Sequence, residues 1–313
     1  MTRSHPAVLA LLAALLVAAP AAALPAREQA PDPWRDLLQR YCVILHPRGQ
    51  PFDTRFDYVQ LYVDEGIWRK HRSDRLDAVR AELLDVQPST MAPRERLAWA
   101  LNTYNFLVVE RATLHLLVPG RMFMRYSSVK EMSTSEGTFF EAPVATIEGQ
   151  PYSLAGFVRR FVFGDTAASP RATSFEPRLR PADPRLGWAI APGALGTPPL
   201  LPWPYTADSL DRQLDRAVRI ALELPRYVRA DVKKGELEAT NWFFDQRADY
   251  GYELADVVRF LGRYGTSDTR KVIRKWKLLR PTLMFEVNWK LNVFERPGNP
   301  APPGAAADST RGG

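Results

Sequence analysis

Cys42 and His46 lie four residues apart, the spacing at which side chains on a helix meet, so a thiolate made by an adjacent imidazole is the first chemistry to weigh. No third group stands nearby to orient the imidazole, and Pro47 sits directly beside it. A lone cysteine is more often a small apolar core residue, and Cys42 reads as one. Asn102 and Asn105, three apart on a strongly apolar segment, share a helical face with Tyr104 between them. Two uses fit them: hydrogen bonds to neighbouring backbone, or the polar floor of a ligand pocket. The segment TRKVIRKWKLLR (Thr269–Arg280) holds six Lys/Arg and no acid. Val272, Ile273, Trp276 and Leu279 would dock it, leaving Arg270, Lys271, Arg274, Lys275 and Lys277 as a cationic side facing solvent or an anionic membrane surface. His71 and His115 are isolated. No H-E-x-x-H or C-x-x-C spacing, phosphate-binding glycine loop, G-x-S-x-G or dinucleotide fingerprint occurs, so neither a metal nor a cofactor is expected.

The element that must position the asparagines runs from Glu95 to Leu117. Ten of thirteen residues from Leu97 to Val109 are apolar, which places this helix inside the molecule rather than on its surface. Pro93 suits its first turn, with Ser89 or Thr90 as cap. Around it, Asp32–Leu45 reads as a helix, Phe56–Gly66 as an extended piece and Ser73–Leu84 as a polar helix. Pro143–Ile147 and Pro151–Ser153 form a hairpin running into a helix, Leu154–Phe163, capped by Ser153. Residues 164–202, rich in proline and glycine, are expected to form a long ordered loop over the core. Thr206 caps an amphipathic helix bearing Leu210, Leu214, Ala217 and Ala221. Arg229–Ala239 is a hairpin turning at Lys233-Lys234-Gly235. Leu254–Leu261 is a helix ended by Gly262 or Gly265, then Asp268–Leu279 is helical and Thr282–Val287 a strand. The expected class is α+β, mainly helical, in one domain over 28–296 built round the buried helix.

The ends read differently. A basic start (Arg3, His5), an apolar run from Ala7 to Val17 and small residues at Ala21 and Ala23 fit a secretory signal peptide over residues 1–23, with an uncleaved anchor as the rival. Pro297–Gly313 holds no large apolar residue and is expected to be disordered. The charge of +7 is one less without Arg3, and that basic excess favours anionic envelope components over nucleic acid in a secreted or periplasmic protein. With one cysteine, no internal disulfide forms.

Several segments, in order, resemble the bacterial and plant family known as domain of unknown function 547. AWALNTYNFLVVE is similar to the family's Phe-Trp-Ile-Asn-x-Tyr-Asn-Ala motif, and SVKEM with TIEGQPYSLAGFVRRFVF to its Ser-Ile segment and Ile-Glu-His helix. Asp183-Pro184-Arg185 opens its strongest signature, followed by PYTADSLDRQLDRAV; TNWFFDQRADYG and NWKLN are weaker echoes, and the likeness spans Tyr58–Asn292. The departures carry the functional argument. The family's Cys and His residues imply thiol–imidazole chemistry. Here the signature's His is Gly187, its first Cys Pro192 and its second Cys Thr197; the Glu-His pair is Val158-Arg159, and a late helical His is Glu110. A chain so substituted is expected to be non-catalytic, binding an envelope component or protein partner with Asn102, Tyr104, Asn105, Asp183, Arg185 and Thr197 around the old cleft. Asp183 and Arg185 fit a structural ion pair or an anion site. The alternative is a hydrolase or transferase with other groups, such as the acids of Glu136–Glu148.

Overall fold

Helix α4 (Pro93–Leu114) is surrounded on all sides: every residue from Ala98 to Thr113 is buried. In this computed structural model the described residues are 32–45, 51–69, 73–121, 124–172, 183–245, 247–250, 253–276 and 283–295. Residues 1–31 and 296–313, and with them the expected leader and tail, lie outside that set, as do His46, His71 and Lys277. Each large apolar side chain that α4 removes from water, such as Leu101, Phe106 or Leu107, stabilises the fold by about 1.5–3 kcal/mol. Pro93 occupies the first turn, as its missing N–H requires, but the N-cap is Ala92 and no side chain caps the helix. Ser89 and Thr90 belong instead to a separate 3-10 turn, Pro88–Thr90.

Helices α1 (Pro33–Tyr41), α2 (Tyr58–Asp64) and α3 (Asp74–Leu84) pack beside one another and on α4. Two expectations are corrected here. The first helix stops at Tyr41, and Cys42–Leu45 is strand β1, paired antiparallel with β2 (Asp53–Phe56). The stretch after Phe56 is helical rather than extended, because the Asp57 carboxylate accepts from the Gln60 N–H at 3.0 Å and starts α2. Ser73 caps α3 as its type suggests.

After α4 come the short pair β3 (Ser133–Thr134) and β4 (Gly137–Thr138), then the expected hairpin, β5 (Pro143–Ile147) and β6 (Gln150–Ser153). Ser153 caps α5 (Leu154–Phe157) by accepting from the Gly156 N–H, and the chain widens into a π-helical turn, Val158–Val162, against α4. Helix α6 (Leu210–Glu223) is amphipathic as expected, but it is entered through a 3-10 turn, Ala207–Ser209, where Thr206 makes no side-chain cap. The hairpin β7 (Val228–Asp231) and β8 (Glu236–Thr240) is extended by β9 (Leu283–Phe285), which runs parallel to β8. The helices α7 (Trp242–Asp245), α8 (Arg247–Tyr250), α9 (Leu254–Tyr264) and α10 (Ser267–Lys275) complete the set, α9 ending at Gly265. This is an α+β fold, mainly helical, with strands confined to small sheets. No helix among the described residues is long and apolar enough to cross a membrane.

Two glycines test this packing with opposite signs. A Cβ on Gly156 would sit 1.8 Å from the Pro170 carbonyl oxygen, whereas one on Gly262, within α9, meets nothing within 4 Å. Gly262→Ala should therefore raise stability by about 0.5–1 kcal/mol through helix propensity, and Gly156→Ala should lower it sharply. Chemical denaturation of the two variants beside wild type checks both; equal, small effects would contradict the packing at Gly156.

Candidate functional site

The loop between residues 183 and 205 is held to the centre of the molecule by two side chains. The Asn105 amide donates to Ala189 O at 3.1 Å while its carbonyl accepts from the Ala191 N–H at 2.8 Å. One turn earlier, Asn102 repeats the device on one residue, donating to Tyr205 O at 2.9 Å and accepting from its N–H at 2.8 Å. A primary amide matches the donor and acceptor of a peptide group, so each asparagine replaces the strand partner that an irregular chain lacks. From its other side the loop pairs with the C-terminal segment, through Leu195 N–H to Lys290 O, Gly196 N–H to Asn288 O and Asn292 N–H to Gly193 O, all at 2.7–2.8 Å. Gly196 is required there, since a Cβ would come within 2.3 Å of the Asn288 nitrogen. The consequence is burial: of residues 186–201 only Leu195 is not fully buried.

Gly187, Pro192 and Thr197 all fall inside this closed segment. Thr197 is 0 % exposed, and its hydroxyl donates to Ala194 O at 2.9 Å. Its own carbonyl accepts from the Tyr227 hydroxyl. Gly187 O accepts from the Trp242 indole N–H at 3.1 Å. Tyr104 is buried as well, and burial raises its phenol above the usual range. Arg159, on the π-helical turn, pairs with Asp165 at 2.8 Å. Glu110 pairs with Arg80; burial still leaves its carboxyl raised. Cys42 lies in strand β1 rather than on a helix, which removes the helical premise for pairing it with a residue four positions on; His46 itself lies outside the described residues. Its thiol, pushed up to about 12 chiefly by burial, donates to Leu200 O at 3.4 Å. The acids of Glu136–Glu148 do not converge: Glu148 accepts from the Ser89 N–H, while Glu141 accepts from the Thr138 hydroxyl.

Charge gathers instead at the mouth of the loop. Arg185 donates to Asp183 from Nε and Nη2, to Asp211 Oδ1 from Nη2 at 3.0 Å, and to Asp215 Oδ1 from Nη1 at 2.8 Å. Arg94, in the first turn of α4, pairs with the other oxygen of Asp211 at 2.6 Å, and the Tyr264 hydroxyl donates to Asp215 at 3.0 Å. One chain of charge-assisted bonds thus joins α4, the loop, α6 and α9. Hydrogen bonds to Asp183, then to Asp215 and Asp211, hold the Arg185 guanidinium above its usual range despite partial burial. Arg185 and then Arg94 hold Asp211 low; burial pushes Asp215 up, but bonds from Arg185 and Tyr264 outweigh it and leave it low. Of these groups Asp183, Arg185, Asp211 and Tyr264 line an open cleft of about 590 Å³, together with Asp249, Tyr250, Asp256, Arg259, Phe260 and Arg263. Among the described residues no three His, Cys, Asp or Glu side chains are placed to hold a metal ion.

Sequence reasoning reached Asp183 and Arg185 but missed Asp211, Asp215, Arg259, Arg263 and Tyr264. The i, i+4 pairs Asp211/Asp215 and Arg259/Arg263 on two amphipathic helices were the available signal. On α10, Lys271 pairs with Asp268 at 2.8 Å, the Lys275 ammonium donates to Val232 O and Arg270 to Gly265 O, so much of the expected cationic side is committed within the chain.

Residues 88–220 match the family model described as "Protein of unknown function, DUF547". This stretch is a DUF547 segment. It takes in α4, the buried loop and most of α6, and the weaker echoes at residues 240–251 and 288–292 fall outside it. No curated protein and no solved structure matches the chain.

Asn105→Ala leaves Ala189 O and the Ala191 N–H buried without their partner, which should lower unfolding free energy by about 1–3 kcal/mol. Urea denaturation measures it. A loss within error of zero would mean that the loop is held by something other than this amide.

Proposed function

We propose that this DUF547 chain is a non-catalytic binding protein that takes an envelope component or a protein partner at the cleft around Arg185. The observation that carries this reading is the state of the loop in which the family's thiols and imidazole are expected: it is closed, and the hydroxyl of Thr197 is spent on Ala194 O. A nucleophile needs both access and a base within hydrogen-bond reach. The rival reading, a hydrolase or transferase, would have to draw on the cleft's carboxylates. Asp211, which lines the cleft, and Asp215, bonded to the same Arg185, are held low, which makes them weak proton acceptors at neutral pH. The proposed setting is secreted or periplasmic, which rests on the basic, apolar and small-residue succession of residues 1–23.

Thiol- and hydroxyl-reactive probes on the purified folded chain test the proposal. Cys42, buried and with its thiol held protonated, should label only after denaturation, and no residue of 186–201 should label at all. Stoichiometric labelling of Thr197 in the native protein would overturn the non-catalytic reading.

A further inference from the structure

Helix α6 shows solvent a row of arginines. Arg212, Arg216 and Arg219 are exposed at i, i+4 and i+7, a single face about 10 Å long, while Leu214, Ala217, Val218 and Ala221 face the core. Each guanidinium has a support. Arg212 donates to Ser209 Oγ at 2.7 Å; Arg216 lies 4.2 Å above the Trp203 ring; Arg219 lies 5.4 Å from the centre of the Tyr264 ring. Arg263 of α9, also exposed, approaches the same Tyr264 ring to 5.0 Å, which continues the row onto a second helix. Among the described residues none of these four arginines is in an ion pair. Of the carboxylates beside them, Asp211 is engaged by Arg94 and Arg185 and Asp215 by Arg185 and Tyr264, while exposed Asp208 and Glu223, four residues from Arg212 and Arg219, offset part of the row's charge. Four like charges on one exposed face leave a positive potential that favours an external anion.

We infer that this arginine row binds a linear acidic polysaccharide, a polymer with a carboxylate on successive sugars. The row reaches that cleft at Arg263, which lines it, and continues outside it along α6; the inference names the class of envelope component within the binding role proposed above, and rests on it. Three features select this occupant. A row demands repeated charge rather than one anionic group, and ring-stacked guanidiniums are held in the planar fork that carboxylates accept. A bilayer surface calls for apolar side chains beside the cations. Among the described residues the exposed large apolar side chains, Ile44, Val63, Trp68 and Leu114, lie on other elements. Single-stranded nucleic acid calls for open aromatic faces, and here Trp203 and Tyr264 are covered by arginine.

The test titrates the full chain with polygalacturonate, with a single-stranded DNA oligonucleotide and with phosphatidylglycerol-containing vesicles. Wild type should bind the polyuronate, more weakly as salt rises. The triple change Arg212→Gln, Arg216→Gln, Arg219→Gln should weaken binding by at least about tenfold, three exposed ion pairs' worth. The charge-matched control on α10, Arg270→Gln, Lys271→Gln, Arg274→Gln, should change it less than about twofold. Should the α6 triple fail to fold by circular dichroism, Arg263→Gln alone should cost about threefold. No polyuronate binding, equal losses from the two triples, or tighter α6-dependent binding of DNA or vesicles would each overturn the inference. A chain that binds no polyuronate yet stays unlabelled by the reactive probes loses this inference alone; stoichiometric labelling of Thr197 removes the role on which it rests.

Discussion

Two primary amides on one buried helix hold this structure's least regular part in place. Asn102 and Asn105 each present one donor and one acceptor to the backbone of the 183–205 loop, and the loop's remaining polar groups turn to the C-terminal segment. A loop without sheet or helix partners ordinarily stays at the surface, where water can satisfy its peptide groups. Here it is buried because α4 supplies what water would have supplied. The charged pair Asp183 and Arg185 stands at this loop's entrance, where Asp211 and Asp215 of α6 hold it.

The division of labour follows from burial. Inside, Thr197 bonds its own turn, burial holds the Cys42 thiol protonated, and at the positions where the resemblance leads one to expect histidines stand Gly187, Arg159 and Glu110, the last two in ion pairs. At the rim, polar groups remain wet and mutually paired around Arg185. The proposed non-catalytic reading rests on this division.

The sequence revealed what local pattern controls. The apolar run of α4, the caps at Ser73 and Ser153, the hairpin at Lys233-Lys234-Gly235 and the end of α9 at Gly265 each follow from residues within one or two turns. It misled at Asp32–Leu45, where helical spacing ran on into a strand, and at Phe56–Gly66, where the N-capping Asp57 outweighed an extended-looking pattern. The site was legible only in part, for a physical reason. The network from Arg94 through Asp211, Arg185 and Asp215 to Tyr264 joins residues far apart in the chain, and no spacing rule anticipates which carboxylate an arginine will meet. The positions that match the family motif were legible; the partners that give them their electrostatic state were not.

Native-state amide hydrogen exchange reads the central claim most directly. If α4 closes the loop, the amides of Ala191, Leu195, Gly196 and Tyr205 open only with the core, at rates set by global unfolding and parallel to those of the α4 interior. Exchange of these four amides at the rate of exposed turns, while α4 stays protected, would contradict it.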